Sequence, residues 1–119
     1  MSNFQKVVEF NKTFGVPVYD NIQSEVFTQQ PELVNLRLEL IREEVQELEE
    51  AVKNKDMAET IDALSDILYV VYGAGASFGI NLDQTFDMVH TSNMSKTCNT
   101  EKEAIETMQW YYGNREDFD

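Results

Sequence analysis

The chain has 119 residues, enough for one domain and too few for two, and its 42% apolar and 26% charged residues give a folding rather than a disordered composition. With 22 acids against 9 bases the net charge is -13, which repels nucleic-acid phosphates and anionic membranes and argues against both as partners. Cys98 is the only cysteine, the chain opens without a basic stretch and apolar run, and the longest weakly polar segment, Ile67 to Ile80, is too short for a membrane span; a soluble, cytoplasmic protein is expected.

A first helix is predicted over about residues 2 to 14, with Phe4, Val7, Val8 and Phe14 on one face. Gly15, Val16 and Pro17 end it, and from Val18 to Gln30 no period is clean, so this stretch reads as a loop. Pro31 suits the first turn of a second helix, where its missing N–H costs nothing. From there Val34, Leu38, Ile41, Val45, Leu48 and Val52 recur at alternating spacings of four and three, an apolar seam made for packing along another helix. Asn54 and Lys55 close it. Asp56 with Glu59 makes a capping box for a third helix, whose seam runs Met57, Ile61, Leu64, Leu68, Val71, Gly75 and Phe78 before Gly79 stops it.

Two seams of matching length across a short turn predict an antiparallel helical hairpin. Asn81 with Gln84 opens a fourth helix that fades near Asn93 to Lys96, and Thr100 with Glu103 opens a fifth through Trp110. The tail from Gly113 is polar and expected to be loose. The whole is expected to be one all-α domain, a four- to five-helix bundle around the hairpin. Two amphipathic helices in so short a chain leave apolar surface for another copy, so a homodimer or tetramer is expected.

Glu44 and Glu47 are neighbours on one face of the second helix and flank its seam. Glu59, Asp62 and Asp66 fall within roughly 60° of one another on the third, again beside a seam. Antiparallel packing would bring these acids together, and like charges so close need a cation. A hard divalent ion such as Mg²⁺ takes carboxylate, water and phosphate oxygens, and Mn²⁺ can substitute. A solvated acidic stripe explains Glu39, Glu43, Glu49 and Glu50, with Arg42, Lys53 and Lys55 nearby, but not acids beside both seams. With His90 the only histidine, di-iron Glu-x-x-His sites and Cys/His zinc sites are excluded.

The run Glu43-Glu44-Val45-Gln46-Glu47-Leu48, the stretch from Glu59 through Asp62, Asp66 and Tyr69 to Gly73, and Ser92-Asn93-Met94-Ser95-Lys96 together resemble the all-α NTP pyrophosphatases. These include the MazG-like proteins and phosphoribosyl-ATP pyrophosphohydrolase, and the similarity runs from about Phe10 to Lys102. The resemblance implies Mg²⁺-dependent hydrolysis of a nucleoside triphosphate to monophosphate and pyrophosphate. It implies metal ligands among Glu43, Glu44, Glu47 and Asp66, with Asp62 or Glu59 standing in for the family glutamate that Ala63 replaces. Glu44 or Glu47 would act as base, and which acid is base and which ligand stays open.

Asn93 and Lys96 are implied phosphate contacts. Arg37, two turns before Glu44, either touches substrate or pairs with an acid. Tyr69 and Tyr72 are candidate stacking groups, with Asn11, Phe14 and residues 15–17 near the base. The expected substrate is a deoxynucleotide such as dUTP or dCTP, or a non-standard one. Phosphoribosyl-ATP is the rival within the same chemistry, and a non-catalytic helical dimerisation or nucleotide-binding module is the rival outside it.

Overall fold

The computed structural model describes residues 1–96, and all regular structure among them is helical: α1 (Asn3–Thr13), α2 (Val26–Gln29), α3 (Pro31–Lys53), α4 (Met57–Ser77) and α5 (Leu82–Ser95). The helix expected from Thr100, Cys98 and the tail from Gly113 lie outside the described residues. No single helix among those described is long and apolar enough to cross a membrane. The chain divides into two compact units, Met1–Asp83 and Gln84–Asp119.

Within the first unit α4 is the central element, packed against both α1 and α3. The starts of α1, α3 and α4 are chemically marked. The Ser2 hydroxyl accepts from the Gln5 N–H at 3.1 Å while the Gln5 side chain accepts from the Ser2 N–H, a reciprocal cap on α1. Pro31 opens α3, and the Asp56 carboxylate accepts from the Glu59 N–H at 3.1 Å to open α4. Between α3 and α4, Lys55 takes the left-handed conformation at φ 55°, and the Asp56 N–H closes the turn on the Ala51 carbonyl at 2.9 Å.

The stretch expected as a loop holds the short α2, whose Val26 is buried. Four residues are too few to show a helical period. The preceding segment closes the far end of α4: Tyr19 and Gln23 donate their N–H groups to the carbonyls of Ala76 and Phe78, at 3.2 and 2.9 Å. Ser77, with 0% exposure, donates its hydroxyl to the Pro17 carbonyl at 2.8 Å.

The expected seam of α4 is corrected. Met57, Leu64 and Leu68 are 70%, 50% and 55% exposed, and Ile61 and Val71 are exposed as well. The buried positions of α4 are Ala63 and the run Gly73, Ala74, Gly75, Ala76 and Ser77. Small side chains let the neighbouring helices approach closely, so α4 turns its small residues inward and its large aliphatic face outward. On α3 the expected seam is partly covered: Val34, Ile41 and Leu48 are half-buried, whereas Leu38, Val45 and Val52 are exposed. The core of the unit is Phe4, Val7, Val26, Ala51, Ala63, Ala74 and Ala76, four of the seven alanine.

Candidate metal centre

The pairings between α3 and α4 descend along one helix as they ascend along the other. Arg37 reaches the Val70 carbonyl, and seven residues further along α3 Glu44 reaches Asp66, four residues earlier on α4. This relation turns the acid pairs on each helix toward each other. Carboxylate oxygens of Glu44, Glu47 and Asp66 all lie within 4.8 Å of one another, with Glu44 and Asp66 half-buried and Glu47 exposed. Asp62 stands one turn before Asp66, hydrogen-bonds it, and bears electrostatically on both Asp66 and Glu44.

Burial pushes the Glu44 pKa up, and the hydrogen bond with Glu47 and the charges of Glu47, Asp66 and Asp62 add to it. Asp66 is raised in the same sense, by burial first and then by Asp62 and Glu47. Glu44 Oε2 is buried and, among the described residues, has no hydrogen-bond partner. A buried carboxylate oxygen left unpaired among other carboxylates is costly, and a divalent cation with oxygen preference satisfies it. The donor set, all hard oxygens, suits Mg²⁺ or Mn²⁺ and offers nothing to a soft metal. Glu44, Glu47 and Asp66 could therefore hold such an ion, with Asp62 beside them.

The other expected ligands stand apart from this group. Glu43 follows the exposed side of α3, about 100° round from Glu44. Glu59 sits in the first turn of α4 and, with Glu47, Glu50, Asn54 and Asp56, lines a hollow of about 360 Å³ at the α3–α4 turn. Ala63, where a family glutamate was expected, is buried, so an acid there would point into the packed side of α4. Asp62, one residue earlier, is the acid that stays with Asp66. Glu39 pairs with Arg42 at 2.7 Å in an exposed ion pair, as a solvated stripe would.

Arg37 is only 6% exposed. Its Nη2 donates to the Val70 carbonyl at 3.1 Å, its guanidinium fills the notch left by Gly73, and its buried Nε has no partner. Burial lowers its pKa. Its charge is thus enclosed without an ion pair among the described residues, which the stripe position alone did not reveal. Tyr69, one turn after Asp66, is met edge-on by Phe10 at 5.6 Å, and Phe10 in turn touches Phe14 at 4.6 Å. Only Phe14 and Tyr69 of these rings stood out in the sequence; the four-residue spacing of Phe10 and Phe14 was the available signal for the third. Asn11 is buried and its amide donates to the Gly73 carbonyl at 3.5 Å. Asn93 and Lys96 belong to the second unit, at the end of α5, where the Lys96 ammonium donates to the Asn93 side-chain oxygen at 3.5 Å.

Comparison with known proteins gives the chain's family. An uncharacterised protein of Acanthamoeba polyphaga mimivirus is 54% identical over 82 residues, which cover 69% of this chain and 33% of that protein. The chain thus spans about a third of the length of that curated relative. The phosphoribosyl-ATP pyrophosphohydrolase family matches residues 7–93, a stretch that takes in α2, α3, α4 and the three-carboxylate group. Pyrophosphohydrolases of this kind cleave phosphoric anhydride bonds. On the extent of that match, the chain belongs to the phosphoribosyl-ATP pyrophosphohydrolase family, within the MazG-like all-α NTP pyrophosphatases.

Proposed function

We propose that the chain is a Mg²⁺-dependent nucleotide pyrophosphohydrolase, converting a nucleoside triphosphate and water to the monophosphate and pyrophosphate. The substrate is a deoxynucleotide such as dUTP or dCTP, or a non-standard one. The observation that carries this reading is the meeting of Glu44, Glu47 and Asp66, with one buried oxygen of Glu44 left unpaired. Glu44, Glu47 and Asp66 hold the ion, supported by Asp62. When bound, Mg²⁺ supplies charge neutralisation for phosphate oxygens and acidifies water.

Glu44 or Glu47 takes a proton from the attacking water, whose oxygen bonds to the α-phosphorus as the bond to the bridging oxygen breaks and pyrophosphate leaves. Tyr69 stands one turn after Asp66 on α4, where its ring can meet a nucleotide held at the carboxylates. Arg37 supports the site from within the α3–α4 contact, through its hydrogen bond to the Val70 carbonyl. The exposed aliphatic face of α4 is covered by a second copy, so that the α3–α4 hairpin becomes the centre of a helical bundle.

The test is pyrophosphate release over a panel of ribo- and deoxynucleotides and phosphoribosyl-ATP, with Mg²⁺ or Mn²⁺. Metal-dependent release from a nucleoside triphosphate is expected, and it is lost in Asp66→Asn. Release from phosphoribosyl-ATP alone would move the substrate to the one in the family's name. Silence across the whole panel would overturn the enzymatic reading and favour a binding module.

A further inference from the structure

A cavity of about 210 Å³ lies between α1 and α4. Val7, Tyr69 and Tyr72 form its apolar wall, while Asn3, Lys6 and Ser65 bring polar atoms to it. The tyrosine rings are fixed from behind, Tyr69 by Phe10 at 5.6 Å and Tyr72 by Phe4 at 6.1 Å. Packing of this kind keeps the space between them open without a ligand. Two of its lining residues, Ser65 and Tyr69, flank Asp66 along α4, while the carboxylates themselves stand outside the lining. Ser65 immediately precedes Asp66 and Tyr69 follows it by one turn, and at about 100° per residue both lie on the same side of Asp66 around α4.

The polar groups of this cavity have a definite chemistry. Ser65 donates its proton to the Ile61 carbonyl at 2.9 Å and so brings no donor to the cavity. Lys6 is the one cation in the lining, and among the described residues its side chain has no hydrogen bond or ion pair. An ammonium is a donor only. It meets an exocyclic carbonyl and has nothing to offer an exocyclic amino group.

We infer that the α1–α4 cavity receives the base of a nucleotide whose phosphates lie at Glu44, Glu47 and Asp66, and that Lys6 selects bases presenting a carbonyl oxygen rather than an amino group. This rests on the pyrophosphohydrolase reading for the position of the phosphates. The ring stacks against the tyrosines and Lys6 donates to the carbonyl at the base edge. Such a site discriminates by leaving the wrong group unpaired, not by size.

The experiment compares kcat/KM for two pairs in which a carbonyl and its neighbouring ring N–H are exchanged for an amino group and a bare ring nitrogen, dUTP against dCTP and dITP against dATP, in the full chain and in Lys6→Met. The carbonyl-over-amino ratio is expected to fall about tenfold in both pairs, the size of one charged hydrogen bond at a partly solvated site. A cavity-filling Ser65→Leu is expected to raise KM for all four nucleotides while the Mg²⁺ concentration for half-maximal rate stays put. Wild-type ratios in Lys6→Met, or wild-type KM in Ser65→Leu, would overturn the inference. Should the wild-type chain release no pyrophosphate at all, the pyrophosphohydrolase reading fails by itself. The cavity is then judged on calorimetric binding of dUMP and dCMP: a dUMP preference lost in Lys6→Met upholds it, and no binding overturns it.

Discussion

Glu44 and Asp66 share an environment that opposes their own ionisation, since burial and neighbouring carboxylates raise both pKa values. Between the ordinary carboxylate range and those raised values, the folded chain therefore holds more protons than the unfolded one. Without metal, this pair's contribution to stability falls as pH rises through that window and returns as pH drops back through it. A bound divalent ion competes with the same protons, so its affinity weakens as pH falls through the raised values. Melting curves across pH, with and without Mg²⁺, check this: the metal-induced rise in Tm should shrink toward acid. A rise independent of pH would place the ion elsewhere.

Asp66→Asn separates the two roles of that carboxylate. Removing one charge from a crowded group relieves repulsion, so the metal-free protein should melt no lower than wild type. Divalent-ion affinity, read by calorimetry with Mn²⁺, should fall at least about tenfold, by analogy with the cost of disturbing a metal ligand's own support. Unchanged affinity would remove Asp66 from the site. The acids of α3 were legible because three-residue spacing beside an apolar seam is a local property. The third-helix set was not, because Glu59, Asp62 and Asp66 share one stripe and only packing separates them. Position along α4 distinguishes them: Asp66 is level with Glu44 and Glu47, Asp62 is one turn away, and Glu59 is in the first turn. Arg37 eluded the sequence for the same reason: its burial depends on the notch at Gly73, 36 positions away on the other helix.

The ends of the helices carry their own tests. Gly79 sits at φ 73°, and a Cβ there would meet the Asn21 carbonyl of the segment that closes α4. Gly79→Ala should therefore cost more than about 2 kcal/mol, since backbone strain and a backbone clash act together. Lys55 is the opposite case, a side-chain-bearing residue at φ 55° in the α3–α4 turn. Lys55→Gly should stabilise the chain by about 1 kcal/mol, the left-handed penalty less the added freedom of the unfolded chain. Denaturant midpoints measure both, and a destabilised Lys55→Gly would mean that the lysine side chain holds the turn. Gly79 was readable as a helix stop from its type alone. Lys55 was readable only as the end of a segment, because lysine gives no sign of the left-handed conformation.

The face of α4 that the seam spacing singled out is real, but spacing reports that a face is apolar and not what covers it. Inside the chain a stripe of alanine and glycine won the contact with α1 and α3, because small side chains allow close approach, and the larger aliphatics were left outside. Met57, Ile61, Leu64, Leu68 and Val71 repeat at spacings of four and three along one exposed face, the pattern of a helix packed on another helix. A chain with a core so rich in alanine gains more from covering that face than from any internal rearrangement. Each buried leucine is worth about 1.5–3 kcal/mol, and a two-fold interface counts every substitution twice. Leu64→Glu with Leu68→Glu should therefore weaken self-association more than about 100-fold. Each copy already carries a charge of -13, so added glutamates also increase repulsion, and wild-type association should tighten as salt rises. Sedimentation velocity at micromolar concentration should find wild type as a dimer or larger, and the double variant near 13.7 kDa with its helical signal retained. Wild type sedimenting at that monomer mass in high salt would mean that the aliphatic face of α4 is not a contact between copies.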